Sequence, residues 1–268
     1  MQITSVLDSV LQHKPVTSRQ EVYYPERDGK PLGETDWHIS AILYLLGALR
    51  YVFRRTTDVY VAADMLFYYE EGNPSVFKVP DVYVVRGVSK APRRIYKLWE
   101  EKVTPCTIFE VTSRGTRWED AAEKKGLYEF LGVREYFMFD PLAEYLKPRL
   151  QGFRLIEGRY APIAPSRGGA LVSDELGVIL RPVDYYLRVV DPTTNAIIPS
   201  MEEAAEQAEE ARQQAEIETA RAQAEAERAQ AEAGRAQAEA HRADTAEAEL
   251  ARLRAELAAL KRQGADEQ

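Results

Sequence analysis

From Met201 to its end the chain is a low-complexity run of Ala, Glu, Gln and Arg without a single proline. Such residues are strong helix formers and nothing interrupts them, so one helix of about 60 residues, on the order of 90 Å long, is expected. Arg-Ala-Gln-Ala-Glu-Ala recurs from Arg221, Arg228 and Arg235, a period of seven. Alanines 222, 226, 229, 233, 236, 240 and 243 keep the 4–3 spacing of a coiled-coil seam. After Ala246 the seam passes to Leu250, Leu253, Leu257 and Leu260. Two consecutive steps of three break its phase once. An alanine seam buries little area, so pairing into a homo-oligomer would rest on the four leucines, and the alternative is a solvated single helix. Two parts follow: a body over residues 1–200 and a helical or coiled-coil tail over 201–268.

Charge divides at the same place. The body holds 26 basic and 26 acidic residues, while residues 202–262 hold 9 basic and 15 acidic. The overall charge of −8 is therefore the tail's and does not argue against a polyanionic partner for the body. One cysteine, Cys106, and three histidines, His13, His38 and His241, exclude a disulfide framework and a Cys/His zinc cage of ordinary spacing. The longest apolar stretch, Ile39 to Leu49, is half of what a bilayer span needs, and Asp8, Gln12 and His13 interrupt any signal-like pattern. The expectation is a soluble, cytoplasmic protein without membrane attachment.

The body alternates between helical and strand periodicities. A helix capped at Thr35 or Asp36 carries Ile39, Ile42, Leu43, Leu46 and Phe53 on one stripe. Three β-rich runs follow, Asp58–Tyr69, Asp81–Val85 and Cys106–Thr112, and then a helix over Arg117–Leu131 stopped by Gly132. Glu135–Phe139 is a fourth strand closed by Asp140-Pro141. Residues 151–190 form a hairpin around Glu157-Gly158, a loop at 162–169 and one or two more strands. The order describes a small α/β core with a β-rich extension.

Two carboxylates occur where strands disfavour them. Asp81 opens its run after Pro80, and Glu110 stands mid-strand on the face of Cys106, Ile108 and Thr112. A carboxylate there needs a cation, either a basic side chain in a structural ion pair or a metal. On the next helix Asp120, Lys124, Leu127, Tyr128 and Leu131 share one face, which puts the Lys124 ammonium on an apolar stripe, either snorkelling to water or meeting the carboxylates of the preceding strand. Two metal-holding carboxylates beside a lysine suit phosphodiester hydrolysis, the ion polarising the phosphate and the ammonium orienting a water or neutralising developing charge.

These residues, Pro80-Asp81, Ile108-Phe109-Glu110-Val111-Thr112-Ser113, Thr116-Arg117 with Asp120, Lys124 and Tyr128, Gly132-Val133-Arg134-Glu135-Tyr136-Phe137 and Asp140-Pro141, occur in an order and spacing that resembles the Uma family of restriction endonuclease-like proteins, a branch of the PD-(D/E)XK nuclease superfamily. The likeness covers about residues 20–150. It implies a four-stranded mixed sheet flanked by helices, Mg²⁺ or Mn²⁺ as cofactor, and DNA as substrate. Asp81 and Glu110 would be metal carboxylates, Glu34 would match the N-terminal helix glutamate of the superfamily, and His38 falls where the family often has a histidine. The superfamily lysine two residues after the second carboxylate is Thr112 here, and in this branch its part is thought to pass to the helix lysine, Lys124. Between the two candidate strands Arg86, Lys90, Arg93, Arg94, Lys97 and Lys102 face only Glu100 and Glu101, with Tyr96 and Trp99 interleaved, a segment that could track a phosphate backbone or be a solvated loop. The reading is a metal-dependent DNA endonuclease with Glu34, Asp81, Glu110 and Lys124 as its site. The alternative is a nuclease-fold binding or scaffolding protein without turnover, acting through the tail.

Overall fold

The computed structural model describes residues 22–26, 35–113, 119–166 and 168–263; Glu34, Thr116 and Arg117, named above, lie outside them. The chain divides into one unit up to Glu203 and a second from Ala204.

The first helix, α1 (Asp36–Val52), starts at Thr35, has Asp36 in its first turn and Arg50 in its last, in keeping with the helix dipole. Its buried face is His38, Ala41, Tyr44, Leu45, Ala48 and Leu49, while Ile39 and Leu43 of the expected stripe are 45% and 60% exposed. This helix is apolar nearly all round, so periodicity could not fix its rotation. Two contacts do: the Tyr44 hydroxyl donates to the Ile198 carbonyl at 2.7 Å and accepts from the Val189 amide at 3.1 Å. Alanines 41 and 48 beside it permit close approach to the sheet.

Six strands form the main sheet in the order β1–β4–β6–β7–β8–β9, comprising β1 (Val59–Ala63), β4 (Val82–Arg86), β6 (Thr107–Val111), β7 (Glu135–Phe139), β8 (Leu150–Ile156) and β9 (Arg159–Pro162). The four-stranded core is thus continuous with the Glu157-Gly158 hairpin. β6 and β7 run parallel and the other neighbours antiparallel. The run expected as one strand over 58–69 breaks at Asp64, whose φ of 49° ends β1. The chain then crosses to a small sheet in which β2 (Phe67–Tyr68) lies between β3 (Phe77–Lys78) and β5 (Tyr96–Lys97). A short helix, α2 (Leu98–Glu101), leads to β6. The crossover from β6 to β7 includes a π-helical turn at Glu119–Lys124 that continues as α3 (Lys125–Phe130), and Gly132 leaves it at φ 78°. The extension has three strands, β10 (Leu171–Ser173), β11 (Val178–Val183) and β12 (Tyr186–Val190), an antiparallel meander.

Strand alternation gives the sheet two apolar faces. Val59, Val61, Val82, Val84, Phe109, Val111 and Phe137 pack with α1 and the meander. Tyr60, Tyr83, Val85, Ile108, Tyr136 and Met138 pack with Leu127 and Tyr128 of α3 and with Phe67 and Tyr96. Glu110 therefore lies on the α3 face, with Ile108. Cys106, placed on that face by sequence, sits just ahead of the strand and packs with the opposite core, because alternation holds only within the ladder. Where the meander closes on the sheet, a Cβ on Gly152 would stand 2.7 Å from both Leu171 and the Phe137 ring, so no larger residue fits. Asp140 is a turn anchor, its carboxylate accepting from the amides of Leu142, Tyr145 and Leu146.

The tail is one helix, α4 (Met201–Gln263), of 63 residues. Ser200 and Glu203 form a reciprocal capping box, each side chain accepting from the other's backbone amide at 3.1 and 2.7 Å. Beyond it Leu250, Leu253 and Leu257 are about half exposed. Among the described residues no helix is long and apolar enough to cross a membrane.

Candidate active site

Asp81 immediately precedes β4, and Glu110 is the fourth of five residues in β6; antiparallel pairing of Val82 with Phe109 brings them to the same end of neighbouring strands. The Asp81 carboxylate is tied to β6 by the Val111 amide, which donates to Oδ2 at 2.6 Å. Its other oxygen, Oδ1, lies 3.9 Å from His38 Nε2, so the buried histidine of α1 is part of the surroundings. Glu110 is wholly enclosed, 1% exposed, and each of its oxygens has a donor: Lys124 Nζ at 2.7 Å on Oε2 and the Tyr128 hydroxyl at 2.9 Å on Oε1. Lys124 also lies 3.0 Å from Asp120 Oδ1. That contact is one of charge, since among the described residues neither Asp120 oxygen has a directional hydrogen bond although the residue is 1% exposed.

Lys124 does not snorkel. Its side chain is 8% exposed and points inward between Glu110 and Asp120. Asp120 and Lys124, four residues apart on the turn, fall together on the face continued by Tyr128, and the packing of Tyr128 against the sheet turns that face toward Glu110. Tyr136 of β7 secures the same turn by donating to the Asp120 carbonyl at 2.9 Å. Sequence reasoning gave Asp120 and Tyr128 no part in the site. Their signal was present as the 120–124–128 spacing and in the motif that carries the family resemblance, and neither assigned them a role.

Burial pushes the Glu110 carboxyl up to about 8; Lys124 opposes this, and the negative charges of Asp81 and Asp120 add to it. Burial alone would lower the Lys124 ammonium, but Glu110, Asp120 and Asp81 outweigh it and hold the group well above the ordinary lysine range. Burial also keeps the Tyr128 hydroxyl protonated, hence a donor to Glu110. Three carboxylates thus surround one ammonium. An excess of buried negative charge and the unsatisfied oxygens of Asp120 fit a hard divalent cation near Asp81 and Glu110. Among the described residues no group of three or more His, Cys, Asp or Glu could hold an ion by itself. Magnesium is commonly held by one or two carboxylates with water and phosphate supplying the rest, so two suffice. Thr112, two residues after Glu110, is buried with its hydroxyl unbonded among the described residues, and it supplies no cation.

The basic segment mostly serves the fold. Arg86 donates twice to the Glu175 carbonyl, at 3.0 and 2.6 Å, and Lys90 donates to the Phe53 carbonyl at 2.6 Å. Arg93 makes a two-pronged pair with Glu101 at 2.6 and 3.0 Å. Arg94 pairs with Glu26 and Lys97 with Glu100 at the surface. Arg86 ends the strand that Asp81 directly precedes, five residues and about 16 Å away.

A core of α1, β1, β4, β6, α3 and β7, with carboxylates at two adjoining strands and a lysine from the crossover, makes a mixed α/β fold. Residues 18–181 match the Uma2 family, described as "Putative restriction endonuclease", and the chain belongs to that family. No curated protein matches it. Among solved structures it is similar, at 13% identity, to one titled "Crystal structure of a putative nuclease belonging to DUF820 from Anabaena variabilis ATCC 29413". That likeness covers 63% of this chain and 89% of the other with a TM-score of 0.37.

Proposed function

We infer that the protein hydrolyses DNA phosphodiester bonds with a divalent metal, Mg²⁺ or Mn²⁺, at Asp81 and Glu110. The observation that carries the reading is the buried Lys124 ammonium shared by Glu110 and Asp120 beside Asp81, a cation directed into a site of excess negative charge. A bound divalent ion would supply charge neutralisation at the phosphate and a water of lowered pKa. Asp81 is oriented for binding by the Val111 amide, and Glu110 by Tyr128. With Glu110 and Asp81 as the residues that would hold the ion, Asp120 would keep Lys124 in place, and the ammonium would position the attacking water and balance charge building on the phosphorus oxygens. Glu34 is proposed as a further metal carboxylate on the family resemblance, and Arg94, 82% exposed, as a phosphate contact. Supercoiled plasmid with Mg²⁺ or Mn²⁺ tests the reading: wild type nicks or linearises it and Asp81→Ala lowers the rate at least about 100-fold. Equal cleavage by both proteins would remove Asp81 from the site.

A second reading, a nuclease-fold scaffold without turnover, is favoured by one observation, the half-exposed leucines 250, 253 and 257 of α4. Their spacing suits a second copy of the tail. Leu253→Asp is then expected to lower the mass seen by light scattering to that of a single chain while the circular dichroism of the body is unchanged. An unaltered mass would locate any association elsewhere.

A further inference from the structure

Lys78 belongs to no site so far described, yet its side chain is only 15% exposed and its ammonium meets two carboxylates, Glu119 Oε1 at 2.9 Å and Glu123 Oε1 at 2.5 Å. Both glutamates belong to the π-turn, and each directly precedes one of the buried pair, Asp120 and Lys124. The four side chains thus form two adjoining rows: Glu119 and Glu123 face outward to Lys78, Asp120 and Lys124 inward to Glu110. Drawing the first row onto a fixed cation sets the rotation of the second.

The cation is fixed by its backbone. Lys78 ends β3, where it pairs with Phe67, and stands three residues before Asp81 on the segment that enters β4. The chain segment that carries one candidate metal carboxylate into β4 therefore also grips the turn presenting the lysine, and this grip spans 41 and 45 residues of sequence. A π-turn wound by i→i+5 bonds is less favoured than an α-helical one, and an outside clamp stabilises this winding over relaxation to α-helix, which would rotate Lys124 relative to Tyr128.

We propose that Lys78 is a positioning residue whose ion pairs with Glu119 and Glu123 hold the π-turn in the setting that directs Lys124 at Glu110. The role rests on the hydrolytic reading, whereas the clamp does not. Lys78→Met and Lys78→Arg in the full chain test it through two readouts, amide hydrogen exchange and Mg²⁺-dependent cleavage. In Lys78→Met, exchange at residues 119–124 is expected to quicken about tenfold or more while β6 and β7 keep their protection. Its kcat should fall about 10- to 100-fold, the usual range for groups that orient a ligand from behind, with KM for DNA within about twofold. Lys78→Arg should restore both. Unchanged exchange at 119–124 in Lys78→Met would overturn the clamp whether or not the wild type cuts DNA. Faster exchange with wild-type kcat would overturn the positioning role. Faster exchange in a protein whose wild type never cuts would leave the clamp standing and remove the hydrolytic reading.

Discussion

Lys124→Met is expected to destabilise the protein by about 3–5 kcal/mol and to abolish cleavage, because it leaves two buried carboxylates without their cation. Methionine keeps most of the side-chain volume, so the loss reports charge and not a cavity. Glu110 and Asp120 are each 1% exposed, and among the described residues Lys124 is the one ammonium that pairs with either. The neighbouring residue supplies the control. Lys125 lies with its ammonium 3.6 Å from the centre of the Phe153 ring, and a cation–π contact of this partly exposed kind contributes about 0.5–1 kcal/mol. Urea denaturation of both variants checks the claim. Similar losses in Lys124→Met and Lys125→Met would mean that the buried ammonium is not the hub of the network.

Glu110→Gln is expected to separate function from stability. The amide preserves the size of the side chain and an acceptor for Tyr128, while Asp120 still satisfies Lys124. Metal-free stability at neutral pH should stay within about 1 kcal/mol of wild type, since burial pushes the Glu110 carboxyl up to about 8 and the group is there mostly uncharged already. Cleavage should fall at least about 100-fold, and the rise in melting temperature that Mg²⁺ gives the wild type should shrink or vanish.

The pH dependence has a definite sign. Glu110 sits at about 8 in the folded protein against 4.5 ordinarily, with burial the main cause. Between those values the unfolded chain has released the proton and the folded chain retains it, so rising pH favours unfolding. The contribution is fully present below the ordinary carboxylate range and lost as pH passes the folded value. Metal-free wild type should therefore lose melting temperature relative to Glu110→Gln from pH 5 to pH 8, and a constant difference between them would show that Glu110 is ionised throughout.

Much of this site was legible beforehand because its signals are local. A carboxylate amid the apolar residues of β6 and a lysine on the buried stripe of the following helix are violations of burial rules that a sequence displays directly. Gly132 and the 117–131 period marked the crossover. The same logic failed at α1, where Ile39 and Leu43 were assigned inward and the structure buries Ala41, Tyr44 and Ala48. It also failed to separate basic side chains that serve the fold from those open to a ligand. Arg86, Lys90 and Arg93 have acceptors contributed by residues 175, 53 and 101, pairings that carry no local mark.

Sequence by itself determined the elements and the chemistry on offer: a Pro-free helical tail, an α/β body, and Asp81, Glu110 and Lys124 as charges out of place. Those follow from propensity, periodicity and the cost of burying an unpaired ion, all readable within a few turns of chain. Tertiary structure alone decided which charges meet. Only the register of β4 on β6 sets Asp81 against Val111, only the packing of the crossover against β6 brings Lys124 and Tyr128 to Glu110, and only the approach of β3 gives Lys78 its two glutamates. Electrostatic interaction depends on separation in space and on the exclusion of water, and neither is fixed until distant segments pack.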